Sequence, residues 1–463
     1  MIKRTFNQIQ KMANGLNQTT QFGDVLVEGV TIDSRKIEPN NLFVPLVGEH
    51  VNGHQFVEKA FLQGAAASFW QSDMPNPPEG LPLIIVDDVQ AALQQLAKAY
   101  RHQVNCKVVG ITGSNGKTTT KDMTAALLSE KYKVCKTRGN YNNHLGMPLT
   151  LLLMDEDTDV AVLEMGMSSR GEIDFLSTLA QPDIAVITNI GESHLLDLGS
   201  REEIANAKLE IVAGMADGGT LIYHGDEPLL LERIKGNFPH LRTVSFGRSQ
   251  DSTLYASSIM QNQDTTSFKL EENGDEYMIP VLGNHNVLNA LAAILTAREL
   301  QVSESAIKEG LKTIQLTNMR MEMVAGANGE KIINDAYNAS PTSVKAAIEL
   351  VEGMTGFNHK HLVFGDMLEL GPQEESFHLK IGEIINPNKI NHLYTFGPLA
   401  KKIAEGAHKQ FSSENVHSFQ DKSALILKLK ELSEAGDLIL VKASRGMKLE
   451  EVVSSLQAKS SVQ

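Results

Sequence analysis

Lys107-Val108-Val109-Gly110-Ile111-Thr112, then Gly113-Ser114-Asn115-Gly116, then Lys117-Thr118-Thr119, reads as a short apolar run, a glycine-rich turn and the polar opening of a helix. The run is typed as a buried strand, and the helix is expected from about Thr118. Glycines in the turn let backbone N–H groups point inward at phosphate oxygens, and the helix N-terminus adds partial positive charge. Lys117 is then placed to reach β- and γ-phosphates, and the Thr118 hydroxyl to ligate Mg²⁺. A strict phosphate-loop pattern wants glycine six residues before that lysine, where this chain has Ile111. The Gly-Lys-Thr core in a strand–loop–helix setting still favours phosphate binding over a plain turn.

Working outward, further buried strands read at Asp159 to Glu164 and at Asp183 to Thr188, with helical segments between them. Such alternation implies a parallel sheet covered on both faces. From Val287 to Leu300, Val287, Leu291, Ile294 and Leu295 form the stripe of an amphipathic helix. Before this part, helical stretches are expected at Phe56 to Gly64 and Val89 to His102, and the Pro-rich Met74 to Pro78 is expected to be a surface loop. After it, from about Leu316, strands read at Lys331 to Asn334, His361 to Phe364 and Leu438 to Val441, a second and smaller α/β unit. The fold class is therefore α/β, divided into residues 1–104, 105–315 and 316–463.

A chain of 463 residues is too long for one ordinary core. It is 42% apolar and 21% charged, with a formal net charge of -14. That charge argues against broad nucleic-acid or anionic-membrane binding, although clustered cations can still hold a small anionic substrate. Cys106 and Cys135 cannot form a disulfide framework, which points to a reduced compartment. No apolar segment follows the charged start Met1 to Gln8, and no window approaches 18 consecutive apolar residues. The expectation is a soluble cytoplasmic enzyme with no membrane span.

Glu164 ends one strand and His194 closely follows the strand ending at Thr188, so both fall on the edge of the sheet where parallel α/β proteins bind ligands. A carboxylate and an imidazole there can hold a second divalent ion. Placement alone also fits a helix-capping or surface acid and a hydrogen-bonded loop histidine. Lys208 lies on the stripe Ile204, Ala207, Lys208 and Ile211 of a helix read from Glu203 to Val212. It is either a buried neutral amine able to take up CO₂ as a carbamate, or a lysine that snorkels to water.

These residues resemble the Mur ligase family along nearly the whole chain. The resemblance rests on the phosphate loop, Gly139-Asn140-Tyr141-Asn142-Asn143, Glu164-Met165-Gly166, Thr188-Asn189 with His194, Ala207 to Ile211, Gly283-Asn284-His285-Asn286-Val287-Leu288-Asn289-Ala290, Arg320 and Asp335. It implies a small N-terminal α/β domain for a UDP-sugar, a central P-loop ATPase-like domain, and a C-terminal Rossmann-like domain for the incoming amine. It assigns Gly113, Ser114, Asn115, Gly116, Lys117, Thr118, Thr119, Asn289, Arg320 and Asp335 to ATP, with Asn289 on adenine. Thr118, Glu164, His194 and a carbamylated Lys208 would hold Mg²⁺, and Lys117, Glu164, His194 and Lys208 would be catalytic.

Within the family, Asn334-Asp335-Ala336-Tyr337-Asn338-Ala339-Ser340-Pro341 is similar to the signature of the branch that adds D-alanyl-D-alanine. Residues 365–371 and 441–446 resemble that branch too. The implied partners are UDP-N-acetylmuramoyl-tripeptide and D-alanyl-D-alanine, with Ser34, Arg35, Asn140, Tyr337, Asn338 and Ser340 on substrate. Ser34 and Arg35 offer a hydroxyl and a guanidinium to a diphosphate; Asn52 replaces the family's Asp and is given no role. A monomer is expected. The rivals are a ligase adding the third amino acid, a folylpolyglutamate-type ligase, and a nucleotide-binding regulator without catalysis.

Overall fold

The computed structural model describes residues 1–17, 21–262, 264–271 and 274–458. The strand before the phosphate loop spans Lys107–Thr112 and lies inside a nine-stranded sheet. Ile184–Ile187 pairs with it on one side and Val160–Glu164 on the other, all parallel. Val134–Lys136 closes the second side, while Thr220–His224 and Arg242–Gly247 continue the first. Burial on both faces is why these strands read as unbroken apolar runs. The chain first builds outward on one side of Lys107–Thr112 and then crosses to the other, which opens a crevice at the carboxyl ends of the central strands.

The parallel expectation fails at the far edge. Leu254–Gln261, Thr266–Leu270 and Glu276–Ile279 pair antiparallel. Thr266–Leu270 and Glu276–Ile279 bury alternate residues, as a ribbon does when only one face is covered, so they lack the apolar runs of the centre. The helix expected from Val287 spans Asn284–Glu299 and is not amphipathic. Ala290, Ala292, Ala293 and Ala297 are buried together with the predicted stripe. The helix is wedged between the Lys117–Ser129 helix and the sheet, so both its sides need apolar cover.

Ahead of this body, Val89–Gln103 is helical and begins at an Asp88 cap that accepts from the Ala91 amide at 2.6 Å. The expected Phe56 helix starts with a 3₁₀ turn, Gly53–Phe56, and runs on as Val57–Leu62. A four-stranded parallel sheet completes this region. Its apolar core is continuous with the central one: Phe6, Ile9 and Tyr100 cluster with Met147, Leu163 and Ile187.

The last body is a six-stranded sheet with a separate apolar cluster on each face. Lys331–Asp335 and Leu438–Lys442 are parallel neighbours, and Asp335 sits directly opposite Lys442 at their carboxyl ends. Polar contacts join this body to the central one: Thr342 Oγ1 donates to Glu192 at 2.7 Å, and Ser340 Oγ to Asn115 Oδ1 at 3.2 Å. Polar interfaces of this kind separate more readily than apolar cores. Among the described residues, no helix is long and apolar enough to cross a membrane.

At the amino end of the same sheet, His361 is fully buried, stacked on His392 and 3.0 Å from Asp437 Oδ2. Burial lowers its imidazole pKa from 6.5 to about 4. Between those values the unfolded chain takes up a proton that the folded chain refuses, so stability falls as pH falls across the window. The unfolding midpoint should drop from pH 6.5 towards pH 4, and drop less in His361→Gln. Equal acid sensitivity in the variant would remove His361 as the cause.

Candidate active site

The phosphate loop depends on Gly116, whose φ of 81° is left-handed. A Cβ there would lie 2.4 Å from Asn289 Oδ1, so the loop also rests against the Asn284–Glu299 helix. Thr188 and Asn189 brace the loop from the next strand. Asn189 accepts from Ser114 N at 3.0 Å through its carbonyl and from Asn115 N at 2.9 Å through its side chain; Thr188 Oγ1 donates to the Asn115 carbonyl at 2.5 Å. The Lys117 ammonium folds over this cradle and donates to the Gly113 carbonyl at 2.6 Å. Desolvation lowers its pKa to about 8, against the opposing pull of Glu164.

Glu164 is buried, and its carboxylate accepts from Thr118 Oγ1 and from Asn142 Nδ2, each at 2.9 Å. It is neither a surface acid nor a cap. His194 has a left-handed φ of 65°, and its Nδ1 lies 3.0 Å from Glu369 Oε2 of the third body. Lys208, in the Arg201–Leu209 helix, has 0% exposure and a side-chain nitrogen with no hydrogen-bond partner among the described residues. That rules out snorkelling. Desolvation, and after it the charge of Lys117, holds its pKa well below 10.5, which favours the neutral amine over the ammonium.

Arg320 closes the site from the other side. Its Nη2 donates to Thr118 Oγ1 at 3.3 Å, and its guanidinium carbon lies 4.0 Å from the centroid of the Tyr337 ring. Both chain neighbours are left-handed, Met319 at φ 62° and Met321 at φ 51°, a strained geometry held by its surroundings. Thr317 is fixed by two hydrogen bonds to Asp122, at 2.8 and 2.9 Å, and Met321 N donates to Asp335 at 3.2 Å. Lys442 pairs with Asp335 and donates to the Asn338 carbonyl at 3.0 Å.

The result is a cavity of about 370 Å³ between the two bodies. Of the residues predicted from sequence, it brings together Ser114 to Thr119, Glu164, His194, Asn289, Arg320, Asp335, Tyr337 and Asn338. Gly113 contributes only its carbonyl to Lys117, and Lys208 is not part of the lining. Ser340 is buried, caps the Pro341–Gly353 helix and bonds Asn115. Asn140 is exposed outside the lining. Ser34 and Arg35 also lie outside it, with Arg35 engaged by Asp33 through two hydrogen bonds of 2.9 Å. Sequence reasoning left Asn142 and Lys442 without roles. The available signal for Lys442 was a lysine closing a buried apolar strand.

Chemically, one end presents the N-terminus of the Lys117–Ser129 helix with Lys117 and Arg320, and beside it stand the Thr118 and Glu164 oxygens. Among the described residues, no group of three or more His, Cys, Asp or Glu side chains forms a metal cage. Two protein oxygens with room for water and phosphate suit Mg²⁺, which binds in that manner.

The chain's residues 111–297 match the Mur ligase middle domain, 319–445 the Mur ligase glutamate ligase domain, and 26–101 the Mur ligase family catalytic domain. It is 50% identical over 456 residues to the UDP-N-acetylmuramoyl-tripeptide–D-alanyl-D-alanine ligase of Bacillus subtilis (strain 168), covering 98% of this chain and 99% of that protein. A crystal structure of MurF from Acinetobacter baumannii superposes with TM-score 0.88 and 30% identity, covering 99% of this chain and 100% of that one. MurF ligase from Thermotoga maritima in complex with ADP superposes with TM-score 0.81 and 28% identity, covering 93% and 97%.

Proposed function

The chain belongs to the Mur ligase family, and on that premise we propose that it joins D-alanyl-D-alanine to UDP-N-acetylmuramoyl-tripeptide in an ATP-dependent step of peptidoglycan synthesis. The observation that carries the mechanism is a single cavity in which Lys117, Thr118 and Glu164 of the central body face Arg320, Asp335 and Tyr337 of the third.

In this reading the tripeptide's terminal carboxylate attacks the γ-phosphorus of ATP in line, which forms an acyl-phosphate and releases ADP. The loop amides and Lys117 hold the phosphates, and Lys117 with Arg320 neutralises charge on the transferring group. Asn289, close behind the loop, takes the base. Thr118 and Glu164 would hold Mg²⁺, with His194 and Lys208 serving a second ion if CO₂ adds to the Lys208 amine. A carbamate there would give the unpartnered nitrogen an anionic head. When bound, the metal would supply positive charge that offsets the negative charge of the transferring phosphoryl group.

The dipeptide's amine then attacks the acyl carbon, and a tetrahedral intermediate collapses to amide and phosphate. Tyr337 and Asn338 present the dipeptide from the third body, and seating of that body keeps water from the acyl-phosphate. Ser34, Arg35 and Asn140 are assigned to the UDP-linked substrate outside the cavity. A substrate carried on UDP and activated by ATP places the reaction in the cytoplasm.

Phosphate release from ATP and UDP-N-acetylmuramoyl-tripeptide, with each amine added in turn, tests the reading. Release should require D-alanyl-D-alanine and fail with diaminopimelate, lysine or glutamate. Equal release with any of those three would overturn it.

A further inference from the structure

Residues 365–371 of the third body lead from the Lys360–Gly365 strand to the central body. The turn is built rigidly. Asp366 accepts from Ala400 N at 2.6 Å, Met367 N donates to His378 Nε2 at 2.9 Å, and Leu368 N donates to Ser444 Oγ at 2.9 Å. At its tip Glu369 is left-handed, with φ 65°. Gly371 follows, where a Cβ would lie 3.4 Å from the Leu196 Cα.

Glu369 touches the central body twice. Its carbonyl accepts from Leu196 N at 3.1 Å, and its Oε2 lies 3.0 Å from His194 Nδ1. That nitrogen is sealed from solvent and, despite the short distance, makes no well-formed hydrogen bond with a described residue. Catalytic contacts are often loose in this way before substrate binds. His194 is itself left-handed, so each partner holds an unfavourable backbone conformation at the point where the bodies meet. A carboxylate on one ring nitrogen of a histidine fixes its tautomer and orients the other nitrogen.

We infer that Glu369 is a positioning residue: when the third body seats, its carboxylate holds the Nδ1–H edge of His194 and leaves Nε2 as the nitrogen offered to the cavity. Docking of the body that carries the dipeptide is thereby coupled to the readiness of the phosphate end. The inference rests on the proposed reading only in giving His194 a role in the site.

The test uses the metal-free full chain with ¹⁵N-labelled histidine, with the His194 signal assigned by its loss in His194→Asn. Glu369→Asn tolerates the left-handed backbone but is one methylene short of the ring. It should take His194 from the Nδ1-protonated pattern to a mixed one, and lower kcat about 10- to 100-fold with KM for ATP within about twofold. Glu369→Gln keeps an acceptor and should retain the wild-type pattern and about a third of kcat. An unchanged His194 pattern in Glu369→Asn overturns the inference. So does a loss confined to KM for the dipeptide, with kcat within about twofold, because that describes a plain docking contact. Wild-type turnover judges the ligase reading separately from the histidine spectra.

Discussion

Lys117→Met is expected to lower the rate of phosphate release by on the order of 10³-fold while leaving the fold intact, because removing a preorganised charge from a phosphoryl-transfer site has effects of that size. The ammonium now rests on the Gly113 and Ser114 carbonyls, at 2.6 and 3.3 Å, in the concavity where phosphate oxygens would sit. Its hydrogen bonds there are to backbone carbonyls, with no ion pair among the described residues, so the loss should fall on transition-state stabilisation and not on folding. The Thr188 and Asn189 brace, which does not involve Lys117, should keep the loop shaped. Single-turnover phosphate release and thermal unfolding of both chains provide the check. A variant rate within about tenfold of wild type would place the phosphates elsewhere.

Lys208→Met should move activity and stability in opposite directions. Wild type buries the Lys208 nitrogen with no hydrogen-bond partner among the described residues, and an unsatisfied buried polar group costs about 1–3 kcal/mol. Methionine fills similar space without that penalty, so the variant should be more stable than carbamate-free wild type by an amount of that order. Turnover should nevertheless collapse, since the site loses the amine that would become an anionic ligand. The folded pKa of Lys208 lies well below 10.5, so over the intervening range the unfolded chain binds the extra proton. Wild-type stability from this group therefore rises with pH, and the variant's advantage should narrow as pH approaches 10.5. Equal stability at every pH would contradict the burial argument. Lys208→Ala, also inactive, should regain part of its rate with a short-chain carboxylate; no regain at any concentration would dispose of the carbamate.

Much of this site was legible because its determinants are contiguous. The strand, turn and helix around Gly116 and Lys117 are consecutive residues, and Lys208 announced itself by occupying an apolar position at helical spacing. Other features were illegible for identifiable reasons. A hydrophobic stripe reports one buried face and says nothing of a second neighbour, so the Asn284–Glu299 helix read as one-sided until the Lys117–Ser129 helix was found across it. The antiparallel edge strands bury only alternate residues and fell below the signal of the central ones.

By itself, then, the order of residues determined the three-part α/β plan, the phosphate loop, the family and the chemistry to expect, since each is written in local pattern and spacing. Tertiary structure alone decided that Asp335 meets Lys442, that Asn289 backs Gly116, and that Glu369 reaches His194. Those pairs are separated by a hundred residues or more, and only sheet order and the meeting of two bodies place them within bonding distance.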